Sequence, residues 1–283
     1  MTSGATAVKE RLAQLYGEVS KHSGYQTIPD FVASTLGYQE TIQSQWRGDR
    51  NRLDWILAHR APQAGERWAD FGANTGFFTY TIAHAHPDAR VTAIEANAEH
   101  AKFLRELGDA FSIGNVDVHH EALPFDGLDK LSDIDVLLHL NVLHHAGADF
   151  DREYVTGAHD FPAYAVAYLK KLRQASRSLV FQLGCNLWGD KTHPLQPGAT
   201  DAERLAYVSK LLTDAGWRIR DLAYAKKTTD APIAYADLGK DVIEALNGQH
   251  GQAELRLFAD ALAPYALEQH IGEFYRRAIY IVD

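Results

Sequence analysis

The sequence predicts an α/β protein built on a doubly wound, mostly parallel sheet, and three observations carry that prediction. Short apolar runs alternate with helical patterns from residue 66 onward, as parallel strands joined by crossover helices do. The run at residues 134–140 is nearly all apolar, which suits a central strand buried on both faces. Gly72 and Gly76 fall in the turn between the first such strand and the first such helix, where glycine allows positive φ and close approach of a ligand.

Composition narrows the class. The chain has 283 residues, with 28 Lys+Arg against 37 Asp+Glu, a net charge of −9, 46% hydrophobic and 11% aromatic residues. Length allows one domain or two, and the apolar mass excludes disorder. The acidic balance argues against nucleic acid as a partner, because Lys/Arg neutralisation of phosphates dominates such binding. The one cysteine, Cys185, excludes an intramolecular disulfide framework and a multi-cysteine zinc site, and no metal is expected. Residues 1–15 lack the apolar core of a signal peptide. The most apolar run, 134–143, is interrupted by His139 and Asn141 and is too short to span a membrane. A cytoplasmic protein without membrane contact is expected.

The first 60 residues read as helical. Val8, Leu12 and Leu15 recur at helix spacing, Ser23-Gly24 breaks the pattern, and Pro29 opens a second helix carrying Phe31, Leu36 and Ile42. A third helix, about 49–59, ends before Pro62 and Gly65. Strands are expected at 67–71, 91–95, 116–119, 134–140, 178–183, 217–225 and 275–282. Helices are expected at 77–86, 98–107, 162–176 and 201–215, with a further helical stretch at about 236–269.

The densest motif is Asp70-Phe71-Gly72-Ala73-Asn74-Thr75-Gly76. The helix that follows offers free N–H groups at its start. The spacing departs from the G-x-G-x-x-G of dinucleotide sites, and an acid two residues before the first glycine would repel a pyrophosphate. Asp70-x-Gly72-x-x-x-Gly76 resembles instead the first motif of class I S-adenosylmethionine-dependent methyltransferases. The resemblance covers roughly residues 60–226 and the last strand. It implies a seven-stranded Rossmann-like sheet; residues 1–60 fall outside that core and, from their aromatic density, are expected to form an N-terminal helical lid that excludes water. Residues 61–283 are then the catalytic domain, with 227–272 as a helical insertion before the last strand.

The resemblance also implies site residues. Gly72, Asn74 and Gly76 would wrap the amino-acid end of S-adenosylmethionine, with Asp70 contacting its ammonium group directly or through water. Glu95, with Ala96 beside it, ends the second strand where the family has an acid that accepts both ribose hydroxyls. One carboxylate can accept two hydrogen bonds from a cis-diol. Residues 119–125 resemble the adenine-reading segment, with His119 and His120 where relatives have Asp-Ala and Glu121 as a neighbouring substitute. Residues 133–145 resemble the fourth-strand motif with its Val-Leu-His-His ending, which puts Leu140 and Asn141 beside the methionine portion and sulfonium.

For the reaction itself, Asn141 offers a carbonyl to an amine or an NH₂ to a carboxylate, and it equally suits a cap on the following helix. His144 is a candidate base for a hydroxyl acceptor. Adjacent His144 and His145 point about 100° apart on a helix, so they do not suit one metal ion. Tyr25 is a candidate for the sulfonium cation through cation–π attraction, with Tyr16, Tyr38, Trp46, Phe77 and Trp188, each of which could instead serve the core. Arg47, with Arg50, could clamp the cofactor carboxylate. Residues 227–272 either complete the acceptor pocket or build a homodimer contact. The function implied is methyl transfer to a small-molecule nucleophile: an amine, an amino-acid derivative or a hydroxyl. The alternative is internal displacement of the cofactor by its own amine, giving azetidine-2-carboxylate and methylthioadenosine. A tRNA methyl- or carboxymethyltransferase is a lesser alternative, and a non-catalytic binder is opposed by the intact Asp70, Gly72, Gly76 and Glu95.

Overall fold

In a computed structural model of the chain, the described residues are 3–17, 26–38, 48–228, 231–248, 252–267 and 273–283. Helices α1 (Ser3–Gly17), α2 (Asp30–Leu36) and α3 (Asp49–His59) precede the alternating part. Five parallel strands follow: β1 (Arg67–Phe71), β2 (Arg90–Glu95), β3 (Val116–His120), β4 (Ile134–Leu140) and β5 (Ser176–Gln182). Between and after them run α4 (Phe77–Ala85), α5 (Ala98–Phe111), α6 (Phe161–Ala175) and α7 (Asp201–Asp214). The chain closes with β6 (Ile219–Thr228), β7 (Ala231–Asp237), α8 (Lys240–Leu246), α9 (Gln252–Leu262) and β8 (Ile279–Val282). The sheet order is β3-β2-β1-β4-β5-β8-β6-β7, and β8 is antiparallel to both neighbours.

Two expectations are corrected here. Among the described residues the sheet has eight strands rather than seven, and the insertion at 227–272 is not wholly helical, because it includes β7. Ile233 and Tyr235 pack with Trp55 of α3, while Ala236 packs on the opposite side of the sheet, which is the face alternation of a strand. Antiparallel pairing with β6 then satisfies the backbone groups on its inner side.

The apolar periodicities become packing. Val136 and Leu138 of β4 face one side, with Leu53 and Ile56 of α3 and Phe77 and Phe78 of α4. Leu137 faces the other, with Tyr168 and Leu172 of α6 and Leu212 of α7. Each fully buried side chain of this kind contributes roughly 1.5–3 kcal/mol. Val8, Leu12 and Leu15 of α1 and Val32 and Leu36 of α2 pack on Phe103, Leu104 and Leu107 of α5. In α3, Asn51 donates to the Ile233 carbonyl at 2.5 Å, and Trp55 donates to Asp237 at 2.6 Å, both on β7. The N-terminal helices thus flank α4, the helix that follows the glycine turn.

Candidate functional site

The glycine turn leaves β1 with its backbone in the left-handed region at Gly72 (φ 77°), Asn74 (φ 52°) and Gly76 (φ 85°). A Cβ on Gly72 would come within 2.9 Å of Val142, and one on Gly76 would crowd Leu104 and Tyr80. Both positions therefore require glycine for conformation and for space. The Asn74 backbone N–H donates to one Glu95 carboxylate oxygen at 2.7 Å, and the Asn97 backbone N–H to the other at 2.8 Å. A carboxylate has about four acceptor positions, so these bonds orient the group within its capacity. Asn97 also caps α5, its side chain accepting from Glu99 and His100.

Asp70 lies behind the turn, 4% exposed, and accepts from the Thr79 hydroxyl at 2.7 Å. Burial raises its pKa to about 6; the Thr79 bond opposes the rise, the Glu95 charge adds to it and Arg52 opposes it. Two N-terminal residues reach the same turn. The Tyr16 hydroxyl donates to the Gln26 carbonyl at 2.7 Å and meets the Thr75 hydroxyl at 2.9 Å. The Gln26 side chain accepts from the Phe77 amide at 2.9 Å, taking up an amide at the start of α4.

At the carboxyl end of β4, Asn141 is again left-handed (φ 61°). Its Nδ2 donates to Gln182 Oε1 at 2.8 Å, and its Oδ1 accepts from Arg277 at 2.8 Å. Gln182 Oε1 also accepts from Arg52 at 3.1 Å, and its Nε2 donates to the Arg277 carbonyl at 3.0 Å. Arg52 is 3% exposed, ion-paired with Asp49, and lies over the rings of Phe78 and Phe274. Asn141 therefore ties strands together and caps no helix; the short turn after it has no side-chain cap.

The remaining expected residues are dispersed. Leu140 ends β4, half-buried. His120 pairs in register with Glu95 and reaches the Ala96 carbonyl at 3.2 Å. His119 is exposed against Asp117, and Glu121 is paired with Lys130. His144 is 2% exposed and accepts from the Gly184 amide through Nδ1 at 3.3 Å, with its ring where a side chain at 184 would stand. His145 pairs with Asp149 at 3.0 Å. Tyr25, Trp46 and Arg47 lie outside the described residues. Arg50 is exposed and paired with Asp30. Sequence reasoning missed Arg52, Gln182, Arg277 and the Tyr16–Gln26 clasp. A charged residue on the apolar face of α3 and a glutamine ending an apolar strand were the available signals. Among the described residues no cluster of three His, Cys, Asp or Glu could hold a metal ion, and no helix is long and apolar enough to cross a membrane.

No family profile matches the chain. Curated relatives are ribosomal RNA small subunit methyltransferases G. That of Pseudomonas paraeruginosa is 28% identical over 86 residues, covering 28% of this chain and 40% of the relative. That of Mycobacterium sp. (strain KMS) is 31% identical over 111 residues, covering 39% and 45%. That of Nitrobacter hamburgensis is 37% identical over 102 residues, covering 35% and 36%. The chain thus spans less than half the length of the curated relatives it matches. Among solved structures, the kinase-methyltransferase WbdD aligns with TM-score 0.49 and 17% identity, over 80% of this chain and 46% of that one. Magnesium protoporphyrin IX methyltransferase from Synechocystis PCC 6803 aligns with TM-score 0.46 and 16% identity, over 84% and 95%. The curated relatives are named methyltransferases, the class that the Asp70–Gly76 motif resembles. They also correct the expectation against nucleic acid, since the curated ones act on ribosomal RNA. Net charge is an average over a whole surface and does not decide what a local site binds.

Proposed function

We propose that the chain is an S-adenosylmethionine-dependent methyltransferase. The observation that carries this reading is the Glu95 carboxylate at the end of β2, held by the Asn74 and Asn97 amides beside a left-handed glycine turn. These acceptors fit the cofactor: an oriented carboxylate for a cis-diol, and the buried acid Asp70 for an ammonium group. When bound, S-adenosylmethionine supplies an electrophilic methyl group on a sulfonium, so the chain's task is alignment and exclusion of water. Glu95 accepts from the ribose hydroxyls, and Asp70 offsets the ammonium charge. Arg52, Gln182 and Arg277 hold Asn141 at the strand end where the nucleophile enters. Residues 1–60 serve as the lid over the catalytic part, 61–283; the bonds of Tyr16 and Gln26 to the turn support that division.

The acceptor is a nucleophile reaching this strand end: a group of an RNA, since the curated relatives are named for ribosomal RNA, or a free amine or hydroxyl compound. The test is incubation of the pure protein with S-adenosylmethionine, alone, with ribosomal RNA, and with amine and hydroxyl compounds, reading the sulfur product by mass spectrometry. S-adenosylhomocysteine formed only with an acceptor is the expected result. Methylthioadenosine formed without one would mark the internal displacement to azetidine-2-carboxylate, and cofactor recovered intact in every arm would overturn the reading.

A further inference from the structure

The stretch that resembles an adenine-reading segment, residues 119–125, lies beside Glu95. The Glu121 N–H donates to the Glu95 carbonyl at 3.1 Å, and His120 Nε2 lies 3.2 Å from the Ala96 carbonyl. Two of its polar side chains are engaged elsewhere, His119 with Asp117 and Glu121 with Lys130. The N–H of exposed Ala122 makes no hydrogen bond among the described residues. A base placed here meets main chain, and main chain recognises a ligand only as well as it is held in place.

Asp151, in the loop between β4 and α6, supplies that hold. Its carboxylate accepts from the Phe125 N–H, at 3.1 Å through one oxygen and 2.9 Å through the other, and from the Tyr164 hydroxyl of α6 at 2.5 Å. Asp151 is 5% exposed and its backbone is left-handed (φ 54°). A buried carboxylate in that conformation is costly and persists where its surroundings fix it. Lys171 of α6 braces the same segment, pairing with Asp129 at 2.9 Å and standing 4.6 Å from the centre of the Phe125 ring. Leu123, between Ala122 and this anchor, is buried in the core cluster that includes Phe71 and Ile94.

We propose that Asp151 is a positioning residue that sets the base selectivity of the cofactor site, by holding residues 122–125 where the Ala122 N–H meets an acceptor on the edge of an adenine. This role rests on the methyltransferase reading of the site. Adenine carries an acceptor at N1 where hypoxanthine carries a donor, so a fixed N–H separates the two bases.

The experiment titrates S-adenosylhomocysteine and S-inosylhomocysteine into wild-type, Asp151→Gly and Asp151→Asn protein by calorimetry, each shown to be folded. The ligands share their ribose and amino-acid ends, so a general loosening of the site weakens both, and only the ratio of affinities reports on the base. Wild type should favour the adenine ligand by about tenfold or more. Asp151→Gly keeps the left-handed backbone at ease but removes both acceptor oxygens, and the ratio should fall by about fivefold. Asp151→Asn keeps one oxygen for Phe125 and Tyr164 and should retain most of the ratio. Tyr164→Phe, which removes one donor to the carboxylate, should lower the ratio by about twofold and serves if Asp151→Gly does not fold. A wild type that does not distinguish the ligands, or a ratio unchanged in the folded variant, would overturn the proposal and leave the methyltransferase reading standing. Failure of both ligands to bind the wild type would overturn that reading and the proposal with it.

Discussion

The Asn141 amide oxygen accepts from the Arg277 guanidinium at 2.8 Å, a bond that ties the end of β4 to the residue leading into β8. These residues are 136 apart in sequence, and Gln182 at the end of β5 joins them through both ends of its own amide. Asn141→Ala should cost about 2–3 kcal/mol in urea unfolding, from partners left without bonds and a left-handed backbone without asparagine. Asn141→Gly, which keeps that backbone at ease, should cost less. Arg277→Met combined with Asn141→Ala should be markedly less than additive, and full additivity would contradict the pairing.

Asp70 should make cofactor affinity pH-dependent. Its folded pKa of about 6 stands above the ordinary 3.8 because burial disfavours the charged form. The folded protein therefore keeps this proton where the unfolded chain has lost it. The resulting stability is complete below 3.8, is lost as pH rises to about 6, and leaves a cost on the order of 3 kcal/mol above that. Asp70→Asn should accordingly be the more stable protein at pH 7.5. An ammonium group at Asp70 favours the charged form, so S-adenosylmethionine should bind more weakly as pH falls through 6 and should release protons on binding at pH 5.5. Calorimetry in buffers of different ionisation heat reads this directly; binding without proton release would count against Asp70.

His139 acts in the opposite sense. It is fully buried between Phe71 and Phe181 with its Nε2 3.4 Å from the Tyr168 hydroxyl, and burial lowers its pKa from 6.5 to about 3. Below pH 6.5 the unfolded chain takes a proton that the folded one refuses, so stability falls by up to about 1.4 kcal/mol per pH unit toward 3. His139→Phe should lose less stability than the wild type between pH 7 and pH 5. Equal losses in urea midpoints would remove His139 from the account.

What was legible in the sequence was local. Alternation marked β1 to β5, and short spacing marked the turn from Asp70 to Gly76 with Glu95 one strand later, because each signal lies within a single strand–turn–helix unit. β7 was hidden because its alanine-rich run lies beside helical patterns and depends on pairing with β6. The Arg52–Gln182–Asn141–Arg277 lattice joins residues from four distant segments, and no spacing rule reaches across them. The Val-Leu-His-His ending located the end of β4 but not the burial of the His144 ring under Gly184, which only packing decides.

Glu95 is the residue proposed to hold the cofactor's ribose. Calorimetric titration of S-adenosylmethionine into wild-type and Glu95→Ala protein, both shown to be folded, tests it most directly. Loss of charge-assisted hydrogen bonds should weaken binding by about 2 kcal/mol, roughly thirtyfold. Unchanged affinity in the folded variant would contradict the assignment.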